Sequence, residues 1–373
     1  MRVIIFGGFI DHEVMLAKAL SKSDRVLVLM TGRTVPERVA KLVHGDFDVS
    51  SMGRSRLPFH PANIIAYVEA WHQVRAFEPD VVHMEIAGSF AELACRPMFS
   101  KYPVVMTFHD LEVHKGVRLP GANMVRRILR RRADRIIVHG QSLKETMIER
   151  FSVPAAKVEV VPLGAPELEA FRMFQRNDIR EDENLVLFFG WIVEYKGLEY
   201  LIKAEPAITR EFPDVKIVIA GTCQDFGKYQ TMMAGREERF VVINRFLSFE
   251  EGAELFQRSS VVVLPYIEAS QSGVVPVAYG FKKPVVATNV GSIPEIVRDG
   301  ETGYLVPPRD PQALAGAVLR LLRDKKLRSE MGERGYSMLT TSLSSDVIAT
   351  KMREVYRDAI DSRKDAATPP NHH

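Results

Sequence analysis

VVVLPYIEASQSGVVPVAYGFKKPVVATNVG, residues 261–291, is the stretch on which the fold turns. Val261–Leu264 is an uninterrupted apolar run, and Val285–Ala287 is another. Neither alternates with polar residues. Strands buried on both faces of a parallel sheet read this way, whereas half-solvated strands alternate. Between the two runs lie a polar loop, Glu268 to Gly273, and a short apolar segment ending at Gly280. The order strand, loop, helix, strand predicts a parallel βαβ unit with a right-handed crossover.

The same unit recurs outward in both directions. In the first half the predicted strands are Val3–Phe6, Val26–Met30, Val81–Met84, Val104–Thr107, Ile136–Val138 and Val158–Val161. In the second half they are Val186–Phe189, Ile217–Ala220, Val241–Ile243, Val261–Leu264, Val285–Ala287 and Gly303–Val306. Intervening stretches carry apolar residues three and four apart, as at Leu198, Leu201, Ile202 and Ala204, which is helical spacing. The fold class is therefore α/β, with two Rossmann-like doubly wound domains and a ligand cleft at the carboxyl ends of their strands. The expected division is 1–164, a linker over 165–183 rich in Pro, Gly and charge, and 184–341. A long helix is expected from Ser342, with Ser344 or Ser345 as its N-cap, crossing back to the N-terminal domain and ending by 362. Residues 363–373 read as a disordered tail, and His372 and His373 at its end are not read as metal ligands.

Composition narrows the class of protein. A chain of 373 residues suits two domains, and 46% hydrophobic with 26% charged residues is ordinary for a globular protein. A net charge of +3 does not argue for a nucleic-acid partner. Cys95 and Cys223 fall in different predicted domains, so neither a disulfide framework nor a cysteine metal cluster is expected, and a reducing compartment fits. No run approaches the ~20 apolar residues of a membrane span. The opening MRVIIFGG, followed by Asp11, His12 and Glu13, does not read as a signal peptide. A cytoplasmic location is expected.

Four strand-end loops carry residues suited to chemistry. Gly7-Gly8 follows the first strand; it is either a close approach of backbone to ligand or a tight turn, and FGGFIDHE lacks the full dinucleotide fingerprint. His109, in Thr107-Phe108-His109-Asp110, is either a hydrogen-bond donor to a sugar hydroxyl or a structural histidine. Gly190-Trp191-Ile192-Val193-Glu194-Tyr195-Lys196-Gly197 sets Lys196 near a helix start, as a diphosphate clamp or a solvated turn residue. In Glu268-Ala269-Ser270-Gln271-Ser272-Gly273-Val274, Ser272 and Gly273 fall at a helix start able to take phosphate oxygens, with Glu268 just before; the alternative is a helix cap with a solvated glutamate.

These loops, with I-A-G at 219–221 and E-I-V-R-D-G-E-T-G-Y-L-V-P-P-R-D-P-Q-A-L-A at 295–315, resemble the retaining family-4 glycosyltransferases of GT-B fold. The resemblance runs from Val3 to the terminal helix and is strongest over 185–325. It implies a transferase that moves a sugar from a UDP- or GDP-sugar to a glycan, lipid-linked or small-molecule acceptor, as in polysaccharide biosynthesis. Glu268 and His109 would contact the donor sugar, and Lys196 would neutralise the donor diphosphate. Gly8, Gly190, Trp191, Gln271, Ser272, Gly273 and Val274 would line the donor site.

Two departures stand out. Pro276 or Val277 holds the place of the second glutamate of the paired-glutamate motif, giving a Q-S-G-V variant. Trp191 stands where an arginine is common. No cofactor and no metal are expected, since Lys196 and helix amides would serve the leaving diphosphate and no D-x-D motif ends a strand.

Arg126, Arg127, Arg130, Arg131, Arg132 and Arg135 form a basic cluster beside apolar Met124, Val125, Ile128 and Leu129. This is either an amphipathic face for the inner, anionic membrane surface or an ordinary surface helix. The competing functional reading is a catalytically impaired homologue acting as a binding or scaffold protein.

Overall fold

The computed structural model describes residues 1–31, 46–52, 61–165 and 168–367. In chain order the first half runs β1 (Arg2–Gly7), α1 (Ile10–Ser21), β2 (Arg25–Met30), β3 (Asp48–Ser51), α2 (Pro61–Phe77), β4 (Val81–Ile86), α3 (Phe90–Cys95), β5 (Val104–Phe108), α4 (Ala122–Arg132), β6 (Arg135–Val138), α5 (Gln141–Glu149) and β7 (Val158–Val160). The second half runs α6 (Leu168–Arg172), β8 (Leu185–Phe189), α7 (Leu198–Glu211), β9 (Lys216–Gly221), α8 (Gly227–Met233), β10 (Phe240–Asn244), α9 (Phe249–Arg258), β11 (Val261–Leu264), α10 (Val274–Gly280), β12 (Val285–Thr288), α11 (Ile293–Ile296), β13 (Gly303–Val306), α12 (Pro311–Arg323), α13 (Lys325–Thr341) and α14 (Ser345–Ala367).

Both sheets are parallel throughout the described residues. The first has the order β3-β2-β1-β4-β5-β6-β7 and the second β10-β9-β8-β11-β12-β13. Each predicted strand is present to within a residue or two. The strand missed is β3, whose sequence DVSS is polar and which, among the described residues, pairs only with β2, Leu27 opposite Asp48. As an edge strand it is only partly covered, so nothing forces an apolar run on it.

The chain divides into two compact units: Met1–Val113, Arg118–Pro166 and Ser345–His373 in the first, His114–Val117 and Glu167–Ser344 in the second. In the first unit β1 lies between β2 and β4, with Val3 opposite both Val26 and Val81. One face of this sheet packs Ile4, Val82, Met84 and Met106 against Val74 of α2 and Leu129 of α4. The other packs Val3, Ile5, Val81 and Val105 against Leu16 and Leu20 of α1 and Met352 and Tyr356 of α14. In the second unit Val186, Ile219 and Val263 pack against Leu201 of α7 and Val318 of α12.

Two expectations change in detail. Within the stretch read as a linker, residues 168–172 form α6 and dock on the second unit. There Phe171 packs edge-on against Phe256, with ring centroids 5.7 Å apart, and Leu168 sits against Gly280. The terminal helix starts at Ser345 and runs to Ala367, so Arg363 and Lys364, expected in the tail, are helical. Arg363 donates to Asp134 at 3.1 Å. The remainder of that tail, 368–373, lies outside the described residues.

The terminal helix is anchored by one buried polar contact. The Tyr356 hydroxyl lies 2.8 Å from His83 Nδ1, with both side chains fully buried. Losing one partner of a buried hydrogen bond costs about 1–3 kcal/mol. Emptying an aromatic site costs about 3–5 kcal/mol. Tyr356→Phe is therefore predicted to lower stability by about 1–3 kcal/mol and Tyr356→Ala by about 3–5 kcal/mol. Urea unfolding checks this; wild-type stability in both variants would mean that α14 is not held there.

Candidate functional site

β4 reads VVHMEI, and its alternate residues point to opposite faces. Val82, Met84 and Ile86 enter one core, while Val81 enters the other. His83 and Glu85 share the face of Val81, and both are completely buried. Around them the carboxyl edge of the first sheet gathers His12 from α1, His109 just after β5 and His139 just after β6, all buried.

A chain of hydrogen bonds fixes the tautomers. The Val161 carbonyl can only accept, so His139 Nδ1 donates to it at 2.8 Å. Burial lowers the pKa of His139 to about 3, helped by His109, so the ring is neutral and its Nε2 is an acceptor. His109 Nδ1, 3.1 Å away, must donate to that Nε2. His109 Nε2 then meets Glu85 Oε2 in a short contact. Glu85 Oε1 lies 3.1 Å from His12 Nδ1 and 3.5 Å from His83 Nε2. Burial alone would raise the Glu85 carboxyl, but the imidazoles of His12, His109 and His83 outweigh it and hold Glu85 well below the usual range. Burial, aided by the Glu85 charge, pushes neighbouring Glu13 well above the usual range.

This explains Gly7. A Cβ there would lie 2.6 Å from Glu13 Oε1 and 2.8 Å from Glu85 Cβ, so the glycine makes room for the two carboxylate side chains. Gly8 is exposed. The sugar contact expected of His109 meets an obstacle, since both its ring nitrogens are already engaged.

In the second unit β8 is followed by Gly190, whose φ of +105° suits glycine. Lys196 Nζ lies 3.3 Å from the position a Gly190 Cβ would take and 5.2 Å from the Tyr266 ring centroid. The loop after β11 comes alongside. Ser272 Oγ accepts from the Val274 amide at 3.2 Å, and Val274 Cγ2 is 3.8 Å from the same Gly190 position. Lys196, Gly190, Ser272, Gly273 and Val274 are therefore brought together. Trp191 is 66% exposed, and Gln271 Oε1 is buried without a hydrogen bond.

Glu268 is held by a segment that sequence reasoning missed. Its Oε1 accepts from the Lys115 amide at 2.7 Å and lies 3.3 Å from His114 Nδ1, which must donate to it. His114 Nε2 lies within hydrogen-bond distance of Ser270 Oγ, at 3.2 Å, and the ring stacks on Tyr195 with centroids 4.5 Å apart. Lys115 Nζ pairs with Glu194 at 2.9 Å, and Gly116, at φ +83°, admits Glu194 Cβ. Glu85, His12 and His139 were also missed. A carboxylate in a largely apolar strand was the available signal for Glu85; His12, His114 and His139 carried none.

A sequence model described as "Glycosyltransferase Family 4" matches residues 7–166, and one described as "Glycosyl transferases group 1" matches residues 170–338. The chain belongs to this family of glycosyltransferases. The glycosyltransferase is similar to the alpha-D-kanosaminyltransferase of Streptomyces kanamyceticus, 28% identical over 67% of each chain. It is also similar to the D-inositol 3-phosphate glycosyltransferase of Corynebacterium glutamicum, 27% identical over 95% of this chain and 92% of that one. Among solved structures it resembles Anabaena HepE in complex with UDP and glucose. The TM-score is 0.74 at 17% identity, covering 95% of this chain and 99% of that one. That likeness bears on the fold, which is GT-B as the sequence predicted. The basic cluster is corrected in part: Arg126 and Arg130 are buried, donating to the Ala87 and Leu111 carbonyls at 2.8 and 3.2 Å, so α4 does not present all its arginines to solvent.

The loop carrying Glu268 rests on Gly291, at φ +53°, where a Cβ would lie 1.7 Å from the Ala269 carbonyl oxygen. Gly291→Ala combines a left-handed backbone with this clash. It is predicted to destabilise the protein by about 2 kcal/mol or more. Chemical denaturation measures it; unchanged stability would show that the loop does not need this close approach.

Proposed function

We propose that this glycosyltransferase moves a sugar, with retention of anomeric configuration, from a UDP- or GDP-sugar to a glycan, lipid-linked or small-molecule acceptor. The observation that carries the proposal is the placement of Lys196. Its ammonium stands over Gly190 at the carboxyl end of β8, next to Val274 at the start of α10. A cation beside backbone amides suits a diphosphate whose negative charge grows as the sugar leaves. Ser272 and Gly273 would add polar contacts to the phosphates, and exposed Trp191 offers a ring for a base or sugar to stack on.

Glu268, oriented through Oε1 by the Lys115 amide and His114, would present Oε2 to the donor sugar hydroxyls. The acceptor oxygen would attack on the face from which the diphosphate departs, and a phosphate oxygen would take its proton. His109 would act through the charge of its buried cluster rather than by direct contact. The UDP and glucose bound in the HepE structure support a nucleotide-sugar donor for this fold relative. The impaired-homologue reading is not favoured, because Glu268 and Lys196 are both retained at the second sheet's carboxyl edge.

Thermal unfolding with UDP, GDP and their sugars tests the proposal. One base should raise the midpoint, reaching about 2.7 kcal/mol of stabilisation at a hundredfold excess over its dissociation constant. Lys196→Ala should abolish the shift. Glu268→Gln should keep the nucleotide shift and lose sugar transfer. No shift with either base, or full transfer by Glu268→Gln, would sink the assignment.

We also propose peripheral contact with anionic lipid through the solvated part of α4. Arg127, Arg131 and Arg132 are exposed alongside Met124, and Arg127 and Arg131 line a basic pocket of about 820 Å³ with Arg150 and Lys157. Among the described residues no helix is long and apolar enough to cross a membrane. The double variant Arg127→Glu/Arg131→Glu should lose sedimentation with phosphatidylglycerol vesicles. Equal sedimentation of wild type with phosphatidylcholine vesicles would remove the electrostatic basis.

A further inference from the structure

We infer that the basic cavity beside α4 is a binding site for a phosphorylated group of two or more negative charges, a phosphate monoester or a diphosphate. The cavity is about 820 Å³, within the ~300–1,000 Å³ usual for small-molecule sites. Arg127, Arg130 and Arg131 line it from α4, and Arg150 and Lys157 from the segment between α5 and β7. Glu112 is the one carboxylate among its lining residues. All six belong to the first unit, whereas Lys196 and Glu268 belong to the second, so this is not the donor site proposed above.

The cations outnumber their partners. Glu112 is spent on Arg150, at 2.8 Å. Lys157 Nζ donates to the Ala133 carbonyl and Arg130 to that of Leu111, both at 3.2 Å and both neutral acceptors. Among the described residues Arg127 and Arg131 have neither an ion pair nor a hydrogen bond. They stand four apart on α4 and are therefore neighbours, and like charges so placed repel. Burial lowers the Arg130 guanidinium to about 10, with Glu112 opposing the fall and Arg126, Arg127 and Arg150 adding to it. An anion held among these groups replaces their mutual repulsion with attraction.

The cavity also has a shape that a diffuse basic surface lacks. Arg130 is buried, and its guanidinium carbon lies 3.8 Å from the centroid of the Phe151 ring. Between that ring and the Leu111 carbonyl the guanidinium is fixed before any ligand arrives. Planar guanidinium forks suit phosphate oxygens, which they can meet in bidentate pairs. A phosphate monoester brings about −1.5 to −2 charges to such a site near neutral pH. Met124, Phe151, Val153 and Pro154 give the cavity an apolar wall for the body that carries the phosphate. The peripheral lipid contact proposed above needs only surface charge. A fixed guanidinium and an apolar wall serve a single bound group, which can be a soluble phosphate ester or the headgroup of a lipid.

The test needs no donor or acceptor sugar, so its failure leaves the glycosyltransferase proposal standing. The full chain is titrated with pyrophosphate by calorimetry, in wild type and in Lys196→Ala, which removes the lysine assigned to the donor diphosphate. The expected result is one equivalent bound by Lys196→Ala, weakened at least about tenfold when Arg127→Ser and Arg131→Ser are added. Arg132→Ser, on the same helix but not lining this cavity, should bind pyrophosphate as its parent does. Circular dichroism checks that each variant folds. Vesicles containing phosphatidic acid, a phosphate monoester, then separate the two sources. Capture that pyrophosphate displaces assigns a lipid headgroup, and pyrophosphate binding without capture assigns a soluble ester. Absence of pyrophosphate binding in folded Lys196→Ala would overturn the site, and sedimentation with phosphatidylglycerol would then rest on surface charge alone. Equal weakening by Arg132→Ser and by the Arg127→Ser/Arg131→Ser pair would overturn it as well, since charge and not shape would then be what is read.

Discussion

Burial of both faces of two parallel sheets is the constraint on which the rest of this molecule depends. Helices cover the first sheet on one side with α2 and α4 and on the other with α1 and α14. Side chains along the strands therefore have to be apolar, and polar groups gather at the strand ends, where backbone leaves the sheet. Gly7 closes β1, His109 and His139 follow β5 and β6, and Gly190 and the Glu268 loop follow β8 and β11. Parallel strands put all their carboxyl ends on one edge, so residues far apart in sequence meet there.

Glu85 is the exception that this constraint makes informative. It occupies an inward position of β4, one place where an aliphatic residue would be expected. A carboxylate there survives only if its charge is compensated. The imidazoles of His12, His83 and His109 converge on it, and Glu13, close by, is pushed toward its neutral form. The tautomers of His109 and His139 follow from a single backbone carbonyl, that of Val161. One buried charge thus dictates the arrangement of the whole sheet edge.

The second unit solves a milder problem by packing backbone closely. Gly197, Gly221 and Gly291 each lie where a Cβ would strike a carbonyl oxygen, of Pro265, Gly190 and Ala269 respectively. These contacts stack the loops after β8, β11 and β12 and the end of β9 on one another. The ammonium of Lys196 and the start of α10 come together because the loops that carry them cannot move apart without opening those contacts.

The sequence by itself determined the fold class, the run of strands and the loops where chemistry gathers. Those properties follow from apolar runs, helical spacing and glycines at strand ends, all of which are local. Twelve of the strands were legible for that reason, and DVSS at β3 was not, because an edge strand is under no pressure to be apolar. The motif residues Lys196, Glu268 and Ser272 were legible too, since their loops are continuous in sequence. Tertiary structure alone decided their partners. His114 and Lys115 reach Glu268 across more than 150 residues, and Tyr356 reaches His83 across 273. It also turned Arg126 and Arg130 inward from a helix whose sequence suggests a uniformly basic face, and it made a cluster of His12, Glu85, His109 and His139. Charge compensation in a buried site is a property of distance in space, and nothing in the local spacing of those four residues encodes it.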